Sequence, residues 1–205
     1  MRDVWNKFFV IEGLDGAGTT TQLHAVSALY QAEGRPIFAT CEPTDGLIGS
    51  LVRRALRKEI CLSPFQMALL YAADRDEHVR EMSVRLKQGA TVISDRYLFS
   101  SLAYQSVELP YAFVASLNDG FPLPSVVFFI DTPVEECLRR IEIRGRKKEL
   151  FEIQSFLEKV KRNYELSFEG LPADSTLVRV DGMLPIDAIS EQITRFLRTR
   201  NCLSE

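Results

Sequence analysis

Between residues 8 and 22 the chain reads Phe8-Phe9-Val10-Ile11-Glu12-Gly13-Leu14-Asp15-Gly16-Ala17-Gly18-Thr19-Thr20-Thr21-Gln22. The apolar residues predict a buried strand, and the glycines predict a tight turn into a helix from about Thr19 to Glu33. GxxxxG followed by hydroxyl residues is the spacing of a phosphate-binding loop, whose backbone N–H groups converge on phosphate oxygens at a helix N-terminus. The predicted phosphate-binding residues are Gly13, Gly16, Ala17, Gly18, Thr19, Thr20 and Thr21. Thr20 stands where the hydroxyl that ligates Mg²⁺ belongs.

Thr19 departs from this pattern, because phosphate-binding loops usually carry lysine there. A glycine-rich turn without that lysine is also compatible with a tight turn that binds nothing. The loop by itself therefore leaves both interpretations open, and the rest of the chain has to decide between them.

The bulk properties are those of one α/β domain over residues 1–205. Hydrophobic residues make up 46% and charged residues 26% of the sequence, and the net charge of −3 argues against a dedicated nucleic-acid binder. The apolar stretch near the N-terminus is too short for a signal peptide or a membrane span. Four scattered cysteines without a CxxC pair suit free thiols in a reducing compartment. We therefore expect a cytoplasmic protein without nucleic-acid or membrane partners.

Apolar runs alternate with longer helical patterns along the whole chain. Further strands are predicted at 36–40, 91–94, 126–130 and 177–180, and further helices at 64–87, 133–143, 153–167 and 186–198. Four of the five predicted strands lack polar alternation, as is typical of a parallel sheet covered by helices on both faces. The fold class predicted is α/β with a parallel sheet.

Polar residues follow two of these strands directly. Ser94-Asp95-Arg96-Tyr97 comes after the third strand and Glu42-Pro43 after the second. Ligands of open parallel sheets bind outside the carboxyl ends of the strands, and the fork of an arginine suits a phosphate. Tyr71 and Arg75 lie four residues apart, on one face of the long predicted helix. Each of these elements alone is also compatible with ordinary packing or a structural ion pair.

Taken together and in order, these elements resemble the thymidylate kinase family from about Phe8 to Tyr164. The matching segments are Gly13-x-Asp15-Gly16-Ala17-Gly18-x-Thr20-Thr21-Gln22, Glu42-Pro43, Leu70-Tyr71-Ala72-Ala73-Asp74-Arg75, Asp95-Arg96-Tyr97 and Ser100-Ser101-x-Ala103-Tyr104-Gln105. The resemblance implies a P-loop NTPase fold with a five-stranded parallel sheet, flanked by helices on both faces, with a short basic lid. It also implies a homodimer that converts ATP and dTMP to ADP and dTDP with Mg²⁺.

The resemblance further implies which residues bind the base and sugar of dTMP. Tyr71 would stack on thymine, where other members commonly have phenylalanine, and Arg75 would meet the edge of the base. Ser101 and Gln105 would line the base pocket. Tyr104 would lie beside the sugar, on the side of the site that disfavours a substrate with a 2′-hydroxyl. Glu42 is also expected in the dTMP site.

At the phosphate end, the resemblance assigns Arg96 to the monophosphate of dTMP. Asp15 would lie near the sugar 3′-hydroxyl and the transferring phosphate, and Asp95 would join Thr20 at the metal. Cys41 replaces the arginine that commonly precedes Glu-Pro in the family. This replacement and that at Thr19 both remove positive charge from a site that must hold several phosphate oxygens.

The lid, expected at about residues 144–152, is where that charge would be replaced. It contains four cations within five residues, Arg144, Arg146, Lys147 and Lys148. The resemblance places it over the ATP phosphates. We therefore expect Arg144 or Arg146 to be catalytic, together with Asp15 and Arg96, and favour Arg146 because Gly145 precedes it.

Two other functions remain open from the sequence. One is a related kinase that acts on a deoxynucleoside or on another monophosphate. Asp95-Arg96-Tyr97 speaks against a nucleoside kinase, because such enzymes more often carry Glu-Arg-Ser there to deprotonate a 5′-hydroxyl. The other is a nucleotide-binding protein that has lost catalysis, for which Thr19 is the main support.

Overall fold

The computed structural model describes residues 3–143 and 150–201. Within them, five strands alternate with eight helices. The strands are β1 (Val4–Gly13), β2 (Ile37–Cys41), β3 (Thr91–Asp95), β4 (Leu123–Asp131) and β5 (Thr176–Asp181). The helices are α1 (Thr19–Ala32), α2 (Leu47–Leu56), α3 (Pro64–Lys87), α4 (Leu98–Gln105), α5 (Tyr111–Leu117), α6 (Val134–Ile143), α7 (Leu150–Glu169) and α8 (Ile186–Asn201).

The strands form one sheet in the order β2-β3-β1-β4-β5, and every neighbouring pair is parallel. Parallel neighbours need crossover connections, which the helices between the strands provide. The α/β class with a five-stranded parallel sheet flanked by helices, as predicted, is confirmed.

The core centres on β1, β3 and β4. Residues 8–11 of β1 and 126–130 of β4 are at most 1% exposed, and all of β3 is buried. The edge strands β2 and β5 are only half-buried for most of their length. The unbroken apolar runs seen in the sequence follow from this arrangement, because helices exclude water from both faces of the central strands.

The long helix α3 has the predicted bounds, and its start is encoded locally. The Ser63 hydroxyl accepts the backbone N–H of Gln66, the Gln66 side chain accepts the N–H of Ser63, and Pro64 occupies the first helical position. The sequence patterns did not predict α2, α4 and α5, which have ten residues or fewer and follow loops or strands without a strong local start signal. None of the helices in the described parts of the chain is long and apolar enough to cross a membrane.

The carboxyl ends of three strands meet at one edge of the sheet. Asp95 at the end of β3 is in register with Ile11 of β1 on one side and with Cys41 of β2 on the other. The glycine loop after β1 and the segments after β2 and β3 therefore begin side by side. The order of the sheet reverses at β1, which is where open α/β sheets form their ligand crevice.

Candidate active site

The glycine loop joins β1 to α1 by a turn that requires glycine at two positions. Gly16 has φ 90°, and a Cβ there would lie 2.6 Å from the carbonyl oxygen of Cys137. Gly18, at φ 102°, has a left-handed conformation and immediately precedes α1. The N-terminal N–H groups of α1, which have no partner within the helix, therefore lie at the loop. Thr19 is buried at the first helical position and brings no charge to it.

Thr20 and Asp95 meet across the gap between α1 and β3. The Thr20 hydroxyl donates to Asp95 Oδ2 at 2.5 Å. Asp95 is 5% exposed, and its Oδ1 has no hydrogen-bond partner among the described residues. Mg²⁺ prefers hard oxygen ligands and is usually held by one or two carboxylates together with substrate phosphates. The pair predicted as metal ligands thus forms a donor set that fits this cation.

Arg96 projects from the end of β3 across the start of the glycine loop. Its backbone has φ 71°, a conformation unusual for a residue with a Cβ, and its N–H donates to Ile11 O at 2.9 Å. The guanidinium donates from Nη1 to Gly13 O at 3.1 Å and from Nη2 to Asp15 Oδ1 at 2.8 Å. Arg96 also lies over the Tyr104 ring, with 5.2 Å between Cζ and the ring centroid. Long-range contacts thus fix its direction.

Asp15 and Tyr104 are linked as well. The backbone N–H of Asp15 donates to the Tyr104 hydroxyl oxygen at 2.9 Å. Burial and the Asp15 carboxylate raise the pKa of Tyr104 well above its usual range, so its phenol stays neutral. The carboxylate of Asp15 is half-exposed and directed at Arg96.

Arg75 is fully buried, and the contacts within the protein use most of its hydrogen-bonding capacity. Nε and Nη2 donate to Glu42 Oε2 at 3.0 and 2.7 Å, Nη2 also donates to Ser101 Oγ, and Nη1 donates to Asn118 Oδ1. The other oxygen of Glu42 lies 2.9 Å from Nδ1 of His78. Since a guanidinium has five N–H groups, one N–H on Nη1 is left over among the described contacts.

These side chains surround a cavity of about 610 Å³, within the usual size of small-molecule sites. Its lining contains every residue predicted for dTMP and for the metal, namely Asp15, Thr20, Glu42, Tyr71, Arg75, Asp95, Arg96, Ser101, Tyr104 and Gln105. Apart from Thr20, the predicted phosphate-binding residues Gly13, Gly16, Ala17, Gly18, Thr19 and Thr21 do not line it. They lie in the adjoining loop and the first turn of α1.

Tyr71 and Gln105 add an aromatic ring and a side-chain amide to the cavity wall. Tyr71 is half-buried on α3, and burial raises its pKa to about 12, so the phenol is neutral at physiological pH. Gln105 lies at the end of α4, and its buried side-chain oxygen has no hydrogen-bond partner among the described residues. A buried acceptor without a partner costs free energy unless a ligand satisfies it.

Sequence reasoning missed three residues of this region that act through long-range contacts. Arg53 of α2 lines the cavity and donates to Pro43 O and Thr44 O, with Nη2 3.4 Å from Cys41 Sγ. The Tyr164 hydroxyl donates to Glu12 Oε2 at 2.9 Å and lies 3.4 Å from Nη1 of Arg96. For Glu12 the sequence offered one signal, its place directly after the apolar run of β1. Arg53 lies on a helix that the sequence patterns did not predict, and Tyr164 is 152 positions from Glu12.

The predicted basic lid cannot be placed in the site. Arg144 and Arg146, like Lys147 and Lys148, lie outside the described residues, and the last part of the expected lid is already helical, since α7 begins at Leu150. On α6, Arg140 donates to Ala17 O of the glycine loop at 3.2 Å and to Gly182 O after β5 at 2.9 Å. Arg140 therefore ties the glycine loop to the turn that follows β5.

Comparison with known proteins identifies the family to which this geometry belongs. The thymidylate kinase family model matches residues 11–193. A protein of Treponema pallidum (strain Nichols) that carries a thymidylate kinase name is 41% identical over 202 residues, 96% of this chain and 97% of its own length. A "probable thymidylate kinase" of Pyrococcus horikoshii is 39% identical over 164 residues, covering 77% of this chain and 80% of its own. One from Methanococcus aeolicus is 40% identical over 160 residues, or 78% of each chain. The chain belongs to the thymidylate kinase family.

Proposed function

We propose that this protein transfers the γ-phosphate of ATP to dTMP and produces ADP and dTDP. The observation that carries the proposal is one cavity in which an aromatic ring, a side-chain amide and three arginines meet beside a glycine loop. Family membership supports the same reaction, since the relatives covering most of the chain carry thymidylate kinase names.

Tyr71, Arg75 and Gln105 provide the groups that a thymine base needs. The Tyr71 ring offers a stacking surface on the cavity wall. The remaining N–H of Arg75 can donate to a carbonyl of the base, and the unpaired oxygen of Gln105 can accept from the N3–H of thymine. Because Glu42, Asn118 and Ser101 hold Arg75 rigidly, the direction of that donor is set before the base binds.

Arg96 and Arg53 provide positive charge on the cavity wall, where the monophosphate of dTMP would bind. Arg96 presents its guanidinium beside Asp15 at the start of the glycine loop. Arg53 lies next to Cys41 and so brings a guanidinium to the place where other family members commonly have arginine before Glu-Pro. Asp15 can accept a hydrogen bond from the sugar 3′-hydroxyl on the same side of the cavity.

The donor phosphates belong at the glycine loop and the N-terminus of α1. The helix N-terminus supplies partial positive charge and free N–H groups for phosphate oxygens. Thr20 and Asp95 would hold Mg²⁺, which neutralises charge on the β- and γ-phosphate oxygens when bound. Thr19 leaves this end without the usual lysine, and we assign its role to Arg144 or Arg146 of the basic lid.

Measuring ADP release with a panel of acceptors tests the proposal. We expect turnover with dTMP to exceed turnover with dCMP, dGMP and AMP. Equal or faster turnover of any of these three would contradict the assignment to dTMP. Faster turnover of thymidine would favour a nucleoside kinase, and binding of ATP without turnover of any acceptor would favour a nucleotide-binding protein without catalysis.

The cytoplasmic location, the single-domain organisation and the homodimer stay predictions. The exposed side chains of Phe65 and Leu69, one turn apart on α3, offer an apolar surface for a second copy. Sedimentation at micromolar concentration tests the dimer, since a species near 23 kDa alone, the mass of one chain, would exclude it under those conditions.

A further inference from the structure

Glu12 is a carboxylate in the middle of the core. It lies near the end of β1, in register with Phe129 of β4, and is 0% exposed. None of the described cations forms a direct ion pair with it. Burying a charged group without a partner is costly, so a glutamate at this position needs a reason beyond packing.

One oxygen of Glu12 caps helix α4. Glu12 Oε1 accepts the backbone N–H of Tyr97 at 2.9 Å and that of Ser100 at 3.3 Å. Tyr97 is the N-cap residue of α4, and its own side chain does not cap the helix. Ser100 is the third residue of the helix, and its N–H is one that an N-cap side chain usually satisfies. The carboxylate takes over that role and also accepts the N–H of the N-cap residue itself. The helix it fixes carries Ser101, Tyr104 and Gln105, which line the cavity.

The other oxygen of Glu12 is linked to Arg96 through two hydroxyl groups. Glu12 Oε2 accepts from Ser100 Oγ at 2.6 Å and from the Tyr164 hydroxyl at 2.9 Å. Arg96 Nη1 lies 3.1 Å from Ser100 Oγ and 3.4 Å from the Tyr164 oxygen. The Arg96 guanidinium thus faces the oxygens of two hydroxyl groups whose hydrogens point towards the Glu12 carboxylate.

We propose that Glu12 is the positioning residue of the acceptor site, and that it holds Arg96 and the first turn of α4 in the geometry that binds the monophosphate of dTMP. The inference rests on the proposed function. Glu12 does not line the cavity, so it acts through Arg96, Ser100 and Tyr164 and does not touch substrate.

The ionisation of Glu12 gives this role a pH dependence. Burial raises the pKa of Glu12 to about 7, against smaller opposing effects of Ser100, Arg96, Tyr164 and Tyr97. The charged and titratable groups around this network are Arg96 and Asp95 at the end of β3, Asp15 in the glycine loop, Tyr104 on α4 and Tyr164 on α7. Burial raises the pKa of both Tyr104 and Tyr164, so neither titrates near neutral pH. When Glu12 is protonated it becomes a donor, and Ser100 or Tyr164 has to turn its hydrogen away.

The test is Glu12→Gln, which keeps the size of the side chain and a carbonyl oxygen but removes the charge. We expect the KM for dTMP to rise about 10-fold or more at pH 8, as when a hydrogen bond to a charged group is lost. The KM for ATP should stay within about 2-fold, because the supported groups belong to the acceptor site. Ser125→Ala is the matched control, since Ser125 is equally buried and bonds Asn6 O and Phe8 O away from the cavity.

The pH profile separates positioning from general destabilisation. The ratio of wild-type to Glu12→Gln kcat/KM for dTMP should be largest near pH 8.5 and decline through pH 7, where Glu12 becomes protonated in the wild type. Tyr164→Phe removes one linking hydroxyl and should raise the same KM by a smaller factor, which keeps the inference testable if Glu12→Gln folds poorly.

Two results would overturn the inference while leaving the proposed function intact. One is an unchanged KM for dTMP in both variants at pH 8. The other is an equal rise in the KM values for dTMP and ATP in Glu12→Gln, together with a ratio of wild-type to variant kcat/KM for dTMP that does not vary with pH. Absence of dTMP turnover by the unaltered chain would overturn the proposed function and this inference with it.

Discussion

The guanidinium of Arg96 lies 2.8 Å from the carboxylate of Asp15, measured from Nη2 to Oδ1, although 81 positions separate the two residues in the chain. Asp15 is half-exposed, and a pair in contact with water is worth little in stability. The pair matters for the site, because Asp15 accepts a hydrogen bond from one arm of the Arg96 fork. The proposed reaction needs both side chains near the phosphates that react.

Arg96→Lys and Arg96→Met should weaken dTMP binding. A lysine keeps the charge but loses the planar fork, whereas methionine loses both. Hydrogen bonds to charged groups contribute about 1.5–3 kcal/mol, so Arg96→Met should raise the Kd for dTMP by roughly 10- to 150-fold. Titration calorimetry with dTMP measures this, and ATP titrated into the same variants is the control. A Kd for dTMP within about 2-fold of the wild type in Arg96→Met would exclude Arg96 from the phosphate site.

Tyr71 is expected to act through its ring. Tyr71→Phe should be mild and Tyr71→Ala severe, because base–aromatic stacking is worth about 1–3 kcal/mol, or roughly 5- to 150-fold in affinity. The KM for dTMP of the two variants measures the difference. If Tyr71→Phe proves as damaging as Tyr71→Ala, the hydroxyl and not the ring is responsible, and the stacking role is wrong.

Thr20 and Asp95 should set the requirement for Mg²⁺. Thr20→Val removes the hydroxyl with little change in size, and we expect it to raise the Mg²⁺ concentration needed for half-maximal turnover by about 10- to 100-fold. Thr20→Ser keeps the hydroxyl and is the matched control. Chelation of the metal should stop turnover, and added Mg²⁺ should restore it. Full activity of the wild type in the presence of a chelator would contradict the proposed metal role.

Arg144 and Arg146 are expected to compensate for the missing loop lysine, a prediction that rests on the sequence. Cations that stabilise charge on the γ-phosphate oxygens act mainly on turnover. At least one of Arg144→Met and Arg146→Met should lower kcat by about 10²-fold, which corresponds to about 2.7 kcal/mol of barrier, with little change in the KM for dTMP. Near-normal turnover in both single variants and in the double variant would refute the compensation.

Glu12 should make the protein less stable as the pH rises. Its pKa is raised from 4.5 to about 7 on folding, so the folded state binds more protons than the unfolded state between these values. This contribution to stability is therefore fully present below pH 4.5 and lost as the pH rises through 7. The loss is about 3 kcal/mol, from 1.36 kcal/mol per pKa unit.

Comparing wild type with Glu12→Gln isolates this effect from the other carboxylates. The free energy of unfolding of the variant, relative to wild type, should increase by about 3 kcal/mol between pH 4.5 and pH 8. Urea unfolding at the two pH values measures this change. The free energy of unfolding of Ser125→Ala, relative to wild type, should be the same at both pH values. A constant difference between Glu12→Gln and wild type would mean that the pKa of Glu12 is not raised.

The residues that the family resemblance assigns to dTMP and to the metal line one cavity, because segments at the carboxyl ends of parallel strands meet at one edge. Their roles stay predictions. Asp95 ends β3 and Glu42 directly follows the neighbouring β2, and both line the cavity. Tyr71 and Arg75 join them from one face of α3. The sequence did not indicate which of these groups are already engaged. Arg75 and Glu42 are paired with each other in the core, where His78 of the same helix contacts Glu42 and Asn118, at the end of α5, contacts Arg75.

The sequence by itself determined the alternation of strands and helices, the glycine loop and the start of α3. These features depend on local physics, namely apolar periodicity, the φ values that only glycine adopts easily, and a capping box within four residues. Only the tertiary structure decided that Glu12 caps α4 and supports Arg96, and that Arg53 lies beside Cys41. Such contacts join residues distant in sequence through the packing of strands and helices, and no local pattern encodes a partner that another element brings.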